Sequence, residues 1–265
     1  MIVDNSTARR EKHGWVGQEG RIKLGTLHAY RELNHPNLET LMNPAPQLNA
    51  SIPVGELAVL HAGASRVFHR HGLDFCCGGQ IPLSEACAAK DLDADQLIKE
   101  IEAEVGESTF RRWDSEPLHD LLDHILDTYH AAHREEVPRL IDMAKKVERV
   151  HAAKEACPKG VAGHLERMAV ELEMHMQKEE QVLFPMIRSG NGHMAIMPVQ
   201  VMEQEHHDHG ANLQELRSLG HNYTPPEEAC GTWRALYLGL EQLERDLMSH
   251  IHLENSVLFP RALRS

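Results

Sequence analysis

The chain has 265 residues, and 42% of them are hydrophobic, which is enough for one large domain or two modest ones. The 27 basic and 40 acidic residues give a formal net charge of −13, and this acidic balance argues against binding to nucleic acid. The 20 histidines are unusually many, and histidine is the commonest side-chain ligand of metal ions.

The cysteines and the lack of long apolar segments indicate where the protein works. Five cysteines, two of them adjacent at Cys76 and Cys77, do not form an evenly spaced disulfide framework, which favours a reducing compartment. The N-terminus has no apolar core of a signal peptide, and no run of about 18 apolar residues could span a bilayer. We therefore expect a soluble, cytoplasmic protein with no membrane partner.

Two regions precede the main helical part of the chain. Residues 1–46 mix charges, glycines and prolines with weak helical periodicity, and we expect a loosely ordered extension there. Residues 47–110 are predicted to form a small helical domain that contains a tight turn, Leu73-Asp-Phe-Cys-Cys-Gly-Gly. The helices predicted in this domain cover 54–60, 64–71, 82 or 84 to 90, and 93–104.

Residues 114–265 have the periodicity of long amphipathic helices and no alternation typical of strands. Pro138 lies within the first of these helices and is a candidate for a kink. Short links rich in glycine and proline indicate an up-down bundle, so the predicted fold is all-α, a four-helix bundle preceded by the small helical domain. The four predicted helices cover about 117–150, 159–188, 195–219 and 226–262.

A repeat inside the predicted bundle is the strongest pattern in the sequence. The segments that begin at His175 and His250 both read H-x-x-x-E-x-x-V-L-F-P, on the second and the fourth predicted helix. A step of four residues keeps each histidine and its glutamate, Glu179 or Glu254, on one helix face. In both copies that face is the apolar one, because leucines at helical spacing surround the pair.

Two carboxylates and two imidazoles on apolar faces need partners in the core, because an unpaired buried charge is costly or is neutralised by a shift of its pKa. Two metal ions bridged by both carboxylates would satisfy both copies. The alternative is a structural hydrogen bond within each buried histidine–glutamate pair. Carboxylates and imidazoles without thiolates suit iron or manganese; zinc is also compatible, and we favour iron.

Histidines on the other two predicted helices are expected to complete this site. On the third helix His206 and His209 both lie on the buried face; we prefer His206 and keep His209 as the second candidate. On the first helix, periodicity places His133 nearer the centre of the apolar stripe than His130. On spacing alone His133 would therefore be the first choice on this helix.

From residue 47 to residue 265 the chain resembles the Repair of Iron Centers family, hemerythrin-like di-iron proteins that bacteria make under nitrosative and oxidative stress. The matching stretches agree in order and spacing throughout. They are Leu73-Asp-Phe-Cys-Cys-Gly-Gly, Asp123-His-Ile-Leu-Asp-Thr-Tyr-His-Ala-Ala-His-Arg, Lys146-Val-Glu-Arg-Val-His, Val201-Met-Glu-Gln-Glu-His and the two copies of the repeat. The resemblance implies that residues 114–265 form a hemerythrin-like di-iron bundle.

The resemblance also implies a set of metal ligands and a function. His130 is chosen over His133 here because it follows Tyr129, as the family's ligand follows a tyrosine. The implied function is repair of iron-sulfur clusters damaged by nitric oxide or peroxide, by donation of iron, with damaged iron-sulfur proteins as clients. Carried over residue by residue, the ligands of two non-haem iron ions are His130, His175, Glu179, His206, His250 and Glu254.

The adjacent cysteines are a second candidate for chemistry. A thiolate at Cys76 or Cys77 could bind iron for transfer, or the two could cycle as a strained disulfide. Gly78 and Gly79 would let the backbone approach a partner closely. The alternative is that one cysteine is a small buried hydrophobe and the other is idle.

Two other functions are alternatives at this point. A ferrous pair could reduce nitric oxide to nitrous oxide, so an enzymatic activity stays open. The site could instead bind oxygen or nitric oxide reversibly, as a carrier or a sensor. We rank repair first, nitric oxide reduction second and gas binding third, and a homodimer is left open.

Overall fold

The computed structural model describes three ranges of the chain, 48–61, 63–104 and 111–265. They belong to one compact unit, Ala45–Ser265. The extension predicted at 1–46 lies outside the described residues. Within the described ranges every regular element is a helix, and the β pairing there is limited to an isolated bridge between Pro53 and Pro82. The prediction of an all-α protein is confirmed.

Four short helices form what we call the N-terminal layer. The helices Val54–Leu60 and Leu83–Ala88 each begin directly after a proline, whose fixed φ suits the start of a helix. Asp93 caps α4, because its side chain accepts hydrogen bonds from the backbone N–H groups of Asp95 and Gln96. The helices are α1 (Val54–Leu60), α2 (Ala64–Arg70), α3 (Leu83–Ala88) and α4 (Ala94–Ala103).

Four long helices form the bundle, as predicted, and three of them contain a π-helical segment. The first bundle helix comprises Leu118–His124, the π segment Ile125–His130 and Ala131–Val150. The second comprises Val161–Lys178, the π segment Glu179–Leu183 and Phe184–Arg188. The third is Ile196–Leu219. The fourth comprises Gly231–Leu253, the π segment Glu254–Leu258 and Phe259–Ala262.

The bundle has an up-down arrangement, because the first helix packs on the second and the fourth, and the second packs on the third. Pro138 lies inside Ala131–Val150, and the helix continues past it. None of the described helices is both long and apolar enough to cross a membrane.

The apolar core of the bundle is divided into two clusters, one toward each end. One cluster contains Leu121 and Ile125 of the first helix together with the ends of the V-L-F-P segments. The other contains Leu140 of the first helix and Trp233 of the fourth. Between these clusters, along all four helices, lie six buried histidines and two buried glutamates: His130, His133, His175, Glu179, His206, His209, His250 and Glu254. The fold thus leaves a polar layer in the middle of the bundle.

The N-terminal layer packs against the fourth bundle helix. The ring of Phe75 lies 5.4 Å from that of His252, and Met248 contacts the cores of both the layer and the bundle. At Gly55 the backbone of α1 comes so close to Ser256 and Gly79 that a side chain would not fit. The contact therefore depends on the absence of a side chain at one position.

This close approach gives a test of the packing. A Cβ at residue 55 would lie 2.9 Å from Ser256 Oγ and 3.0 Å from the carbonyl oxygen of Gly79. We expect Gly55→Ala to lower the free energy of unfolding by about 1–3 kcal/mol, as overpacked sites do. Gly163→Ala is the matched control, because nothing lies within 4 Å of its Cβ, and we expect about 0.5–1 kcal/mol of stabilisation. Urea unfolding measures both; a Gly55→Ala protein as stable as the parent would contradict the packing.

Candidate metal centre

The six side chains that the family resemblance implies as ligands lie close together in the middle of the bundle. Each of the four bundle helices contributes a histidine, and the second and fourth contribute a glutamate as well. All six are buried, with at most 1% of each residue exposed to solvent. They are His130, His175, Glu179, His206, His250 and Glu254.

These residues form two groups that share both carboxylates. One group is His130, His250, Glu179 and Glu254, and the other is His175, His206 and the same two glutamates. Within each group the candidate ligand atoms lie within 4.8 Å of one another. Two neighbouring sites with common carboxylates are the arrangement of a two-metal centre with bridging glutamates.

The individual distances show how the two carboxylates are shared. Glu254 faces one histidine with each oxygen: Oε1 lies 3.3 Å from His250 Nε2, and Oε2 lies 3.1 Å from His206 Nε2. A single oxygen of Glu179, Oε2, lies 3.3 Å from His130 Nε2 and 3.5 Å from His175 Nε2. Each glutamate therefore reaches both groups.

Several of these buried polar atoms have no hydrogen-bond partner among the described residues. They include both carboxylate oxygens of Glu179 and of Glu254, and the Nε2 atoms of His130 and His250. Unpaired buried carboxylates are costly, because they lose hydration without receiving a replacement. Cations between the groups would give all these atoms partners, so the donor set fits metal ions.

The protonation states of the buried histidines and of Glu179 also favour a metal centre. Burial lowers the pKa of His175 to about 2 and that of His130 to about 4. Both imidazoles are therefore neutral near pH 7, which is the form that binds a metal ion. The pKa of the Glu179 carboxyl is raised by burial and by the neighbouring charge of Glu254. A cation would relieve that repulsion.

Hydrogen bonds on the far side of three rings direct their Nε2 atoms inward. His130 Nδ1 lies 2.8 Å from Glu180 Oε1, and His175 Nδ1 lies 3.0 Å from Glu205 Oε2. Because a carboxylate only accepts, each Nδ1 carries the proton and each Nε2 presents a lone pair to the centre. The third ring, His206, has an amide partner instead of a carboxylate.

Asn255 is that partner, and its orientation is fixed by a second bond. Its Nδ2 donates to the carbonyl oxygen of Cys76 at 3.0 Å, so its Oδ1 accepts from His206 Nδ1 at 2.8 Å. His206 Nε2 and His175 Nε2 lie 3.2 Å apart in the same group. A proton or a metal ion shared by the two nitrogens would stabilise this close approach.

The repeat explains more of the site than its histidine and glutamate. Glu180 and Asn255 occupy the same position in the two copies, directly after the shared glutamate, and each holds the histidine of a neighbouring helix. The phenylalanine of each V-L-F-P segment stacks on that same histidine: Phe184 on His130 at 5.8 Å, and Phe259 on His206 at 5.7 Å. Each copy therefore supplies two candidate ligands and positions a third from another helix.

The π segments give a reason for the spacing that the two copies of the repeat share. Glu179 and Glu254 each begin a π segment, and the proline of V-L-F-P is the second residue of the α-helix that follows. Proline lacks an N–H and crowds the carbonyl of the preceding turn, so a wider turn before it is favourable. In both copies of the repeat the π segment therefore ends just before a proline.

A third π segment explains why His130 lies on the buried face, although an unbroken α-helix would turn it away. The extra residue of a π turn rotates everything after it by about 100° relative to an unbroken α-helix. His130 is five residues after the buried Ile125, but the π segment gives it the angular position of the fourth residue in an α-helix. In the same way His133, eight residues after Ile125, takes the position of the seventh. Both rings are buried, but only His130 belongs to a four-residue group.

His133 and His209 lie next to the centre without joining its groups. The ring of His133 lies 5.4 Å from that of His250, and the ring of His209 lies 5.0 Å from that of His175. Both are buried, and neither Nε2 has a hydrogen-bond partner among the described residues. Periodicity was right to place both on the buried face, but it favoured His133 over His130, and only His130 belongs to one of the two groups.

The turn with the two cysteines abuts the same centre. Asp74 Oδ1 accepts hydrogen bonds from the backbone N–H groups of Cys76, at 3.1 Å, and Cys77, at 2.9 Å. The Cys77 thiol donates to the backbone carbonyl of His206 at 3.2 Å. The two sulfurs lie 3.7 Å apart as free thiols.

Sequence reasoning missed the hydrogen-bond partners Glu180, Glu205 and Asn255. The signal for two of them was present, because a polar residue follows the glutamate in both copies of the repeat. Glu205 had no such signal. It directly precedes His206 in sequence but holds His175 of another helix, which only the packing of the second and third helices decides.

Comparison with known proteins connects both parts of the structure to described families. Residues 121–262 match the hemerythrin HHE cation binding domain, and this range contains all six residues of the two groups. Residues 50–105 match the family ScdA_N, described as a domain of unknown function (DUF542), and contain Cys76 and Cys77.

Similar whole proteins are also known. The chain is 48% identical over 211 residues to the iron-sulfur cluster repair protein YtfE of Escherichia coli O1:K1, a match that covers 80% of this chain and 96% of that protein. The proteins of the same name from Citrobacter koseri and Escherichia fergusonii are also 48% identical, with the same coverage.

The buried neutral histidines predict a pH dependence for the metal-free protein. Burial lowers the pKa of His175 to about 2 and of His130 and His209 to about 4, whereas the unfolded chain titrates near 6.5. Between pH 6.5 and 4 the unfolded state therefore binds protons that the native state does not. The stability contributed by these neutral rings is present above about pH 6.5 and is lost as the pH falls. Glu179 has the opposite effect on stability, because its raised pKa lets the native state bind a proton that the unfolded state does not. The three histidines outweigh this single group.

The measurement is the free energy of unfolding of chelator-treated protein from pH 7 to pH 5. We expect it to fall, with a slope of up to about 1.4 kcal/mol per pH unit for each buried histidine. His175→Gln removes one of these titrating groups, so it should reduce the slope by up to about 1.4 kcal/mol per pH unit. His207→Gln, at an exposed position of the third bundle helix, should not change it. A slope that is flat, or that is unaffected by His175→Gln, would show that the rings are not buried as neutral groups.

Proposed function

The chain belongs to the hemerythrin-domain family of iron-sulfur cluster repair proteins, and we propose that it holds two non-haem iron ions and donates iron to damaged iron-sulfur proteins. The observation that carries the proposal is the pair of four-residue groups that share Glu179 and Glu254. The family relationship supports iron as the metal and repair as the purpose.

We assign the ligands by the two groups. His130 and His250 would hold one ion, His175 and His206 would hold the other, and Glu179 and Glu254 would bridge them. The support is the short distances from the Nε2 atoms to carboxylate oxygens, 3.1 to 3.5 Å. A mixed set of imidazole and carboxylate ligands suits iron.

The ligand number is consistent with release of iron. In this assignment the protein gives each ion two nitrogens and two carboxylate oxygens, fewer than the six ligands of an octahedral site. Bound iron would supply a releasable ferrous ion with open positions for small ligands such as nitric oxide or oxygen. The residues around it orient the imidazoles, through Glu180, Glu205 and Asn255, and the two apolar clusters keep bulk water out.

Clients and compartment follow from the same proposal. The relatives are named for repair of iron-sulfur clusters, so we propose that damaged iron-sulfur proteins are the partners of this chain. We propose a cytoplasmic location, because all five cysteines are free thiols, as expected in a reducing compartment. The names of the relatives describe neither nitric oxide reduction nor gas carriage, and no contact in the bundle favours those alternatives over repair.

The ligand assignment predicts a specific pattern of metal loss. Protein purified without oxygen should contain about two iron ions per chain. His130→Ala and Glu254→Ala should each lose iron, because each removes a ligand and leaves the remaining buried groups unpaired. His133→Ala is the matched control: the same change, on the same helix, at an equally buried ring outside both groups, should keep about two ions.

Iron counted by elemental analysis, with helicity checked by circular dichroism, decides the assignment. If His133→Ala loses iron while His130→Ala retains it, the assignment on the first helix is wrong. If the parent protein binds a single zinc ion or no metal while fully folded, the di-iron proposal fails.

Iron donation itself predicts transfer to a client. Protein loaded with radioactive ferrous iron is mixed, without oxygen, with a [4Fe–4S] dehydratase inactivated by peroxide. We expect the label to move into the dehydratase and its activity to return, even when a ferrous chelator is present to trap free iron. When the Glu254→Ala protein is supplied with the same total iron, we expect the chelator to abolish the transfer. Label that stays on the protein, or transfer that the chelator abolishes, would refute direct donation.

A further inference from the structure

The turn between α2 and α3 places three potential metal ligands together, outside the histidine–glutamate centre. Cys76 Sγ lies 3.7 Å from Cys77 Sγ and 3.3 Å from Asp74 Oδ1. One ligand atom of each residue lies within 4.8 Å of those of the other two. Neither sulfur is part of a disulfide.

The separation of the sulfurs matches that of two ligands on one tetrahedral ion. Metal–sulfur bonds of about 2.3 Å at the tetrahedral angle place two sulfurs about 3.8 Å apart. The thiols of Cys76 and Cys77 are already at 3.7 Å, although they belong to adjacent residues, whose side chains in extended backbone would point to opposite sides. The turn therefore presents both sulfurs on the same side.

The turn is held in this shape from several directions. Asp74 accepts hydrogen bonds from both cysteine N–H groups, and the Asn255 side chain donates to the Cys76 carbonyl. On the bundle side Cys77 faces Gly210, where a Cβ would lie only 3.3 Å from the sulfur. A glycine at that point leaves room beside the sulfur that any other residue would take.

The cluster is also accessible. A cavity of about 510 Å³ lies between the N-terminal layer and the bundle, and Asp74, Cys76 and Gly210 are part of its wall. Although Cys76 is only 4% exposed, its side chain thus borders a space large enough for a hydrated ion or a small complex. An ion at the thiols would have this cavity on its open side.

We propose that Asp74, Cys76 and Cys77 form a second metal site, for a thiophilic divalent cation in tetrahedral coordination. On binding, the two thiols release two protons and two metal–sulfur bonds form, with no change of oxidation state. An Asp74 oxygen is the third ligand, and the fourth position faces the cavity. Thiolates select ions such as ferrous iron, zinc and cobalt over calcium or magnesium.

The position of this site suggests its use, which rests on the proposed iron donation. The Cys77 thiol contacts the backbone of His206, so the sulfur site is next to the histidine–glutamate centre. A ferrous ion that leaves His206 would meet sulfur ligands like those of the client's cluster before it leaves the protein. The site is then a relay from nitrogen and oxygen ligands to sulfur ligands.

Cobalt(II) distinguishes the two kinds of site in the full-length protein. Thiolate ligation produces an intense sulfur-to-cobalt charge-transfer band in the near ultraviolet, whereas imidazole and carboxylate ligation produces only weak visible bands. Metal-free, fully reduced protein is titrated with cobalt(II) in the absence of oxygen. We expect about three ions per chain, one of them with the charge-transfer band.

Matched variants locate the band. Cys76→Ser and Cys77→Ser should each abolish it and keep the other two ions, and Asp74→Asn should shift its midpoint to higher cobalt concentration. Cys230→Ser is the control, because that exposed thiol lies outside the cluster, and it should change nothing. His175→Ala should lose cobalt from the bundle but keep the band.

A second measurement needs no substitution. Zinc should slow alkylation of Cys76 and Cys77 by iodoacetamide, located by mass spectrometry, without slowing that of Cys230. If the parent protein shows two bundle ions but neither charge transfer nor protection, the sulfur site is refuted and the proposed function stands. If the band and the protection appear while the bundle binds no metal, the sulfur site stands and the proposed function fails.

Discussion

Glu179 and Glu254 lie side by side in the middle of an apolar bundle, and the rest of the structure depends on compensating them. Two carboxylates without hydrogen-bond partners cannot both keep their charge there at an acceptable cost. Burial and mutual repulsion raise the pKa of Glu179, which shows how unfavourable the pair is without cations. Burial lowers the pKa of His130 and of His175, so these two imidazoles add lone pairs but no positive charge. Metal ions are the partners that satisfy both kinds of group at once.

The two copies of the repeat divide this task in a symmetric way. Each provides a histidine, a shared glutamate, a polar side chain that holds the ring from a neighbouring helix, and a phenylalanine that stacks on that ring. The first bundle helix contributes His130, and the third contributes His206 together with Glu205, which holds His175. The copies differ in one respect: Glu180 is a carboxylate, whereas Asn255 is an amide that also bonds to the Cys76 carbonyl. Through Asn255 the second copy connects the centre to the cysteine turn.

That connection gives the N-terminal layer a structural relation to the metal chemistry. The cysteine turn contacts His206 through both the Cys77 thiol and Asn255. Residues 50–105 and 121–262 match two separate families. The two regions contact each other at His206. The Cys77 thiol contacts the backbone of a residue whose ring belongs to the candidate metal centre, which is the proximity that the proposed transfer of iron requires.

The sequence by itself determined the all-α fold, the four bundle helices and the pairing of each repeated histidine with its glutamate, because these depend on helical periodicity and on spacing within one helix. It also showed that His133 and His209 are buried. It favoured His133 over His130, because periodicity assumes an unbroken α-helix, whereas a π segment after His124 rotates the later residues. It could not show that Glu205 and Asn255 hold histidines of other helices, or that the cysteine turn lies against His206. Those contacts join residues far apart in the chain, and only the packing of the helices brings them together.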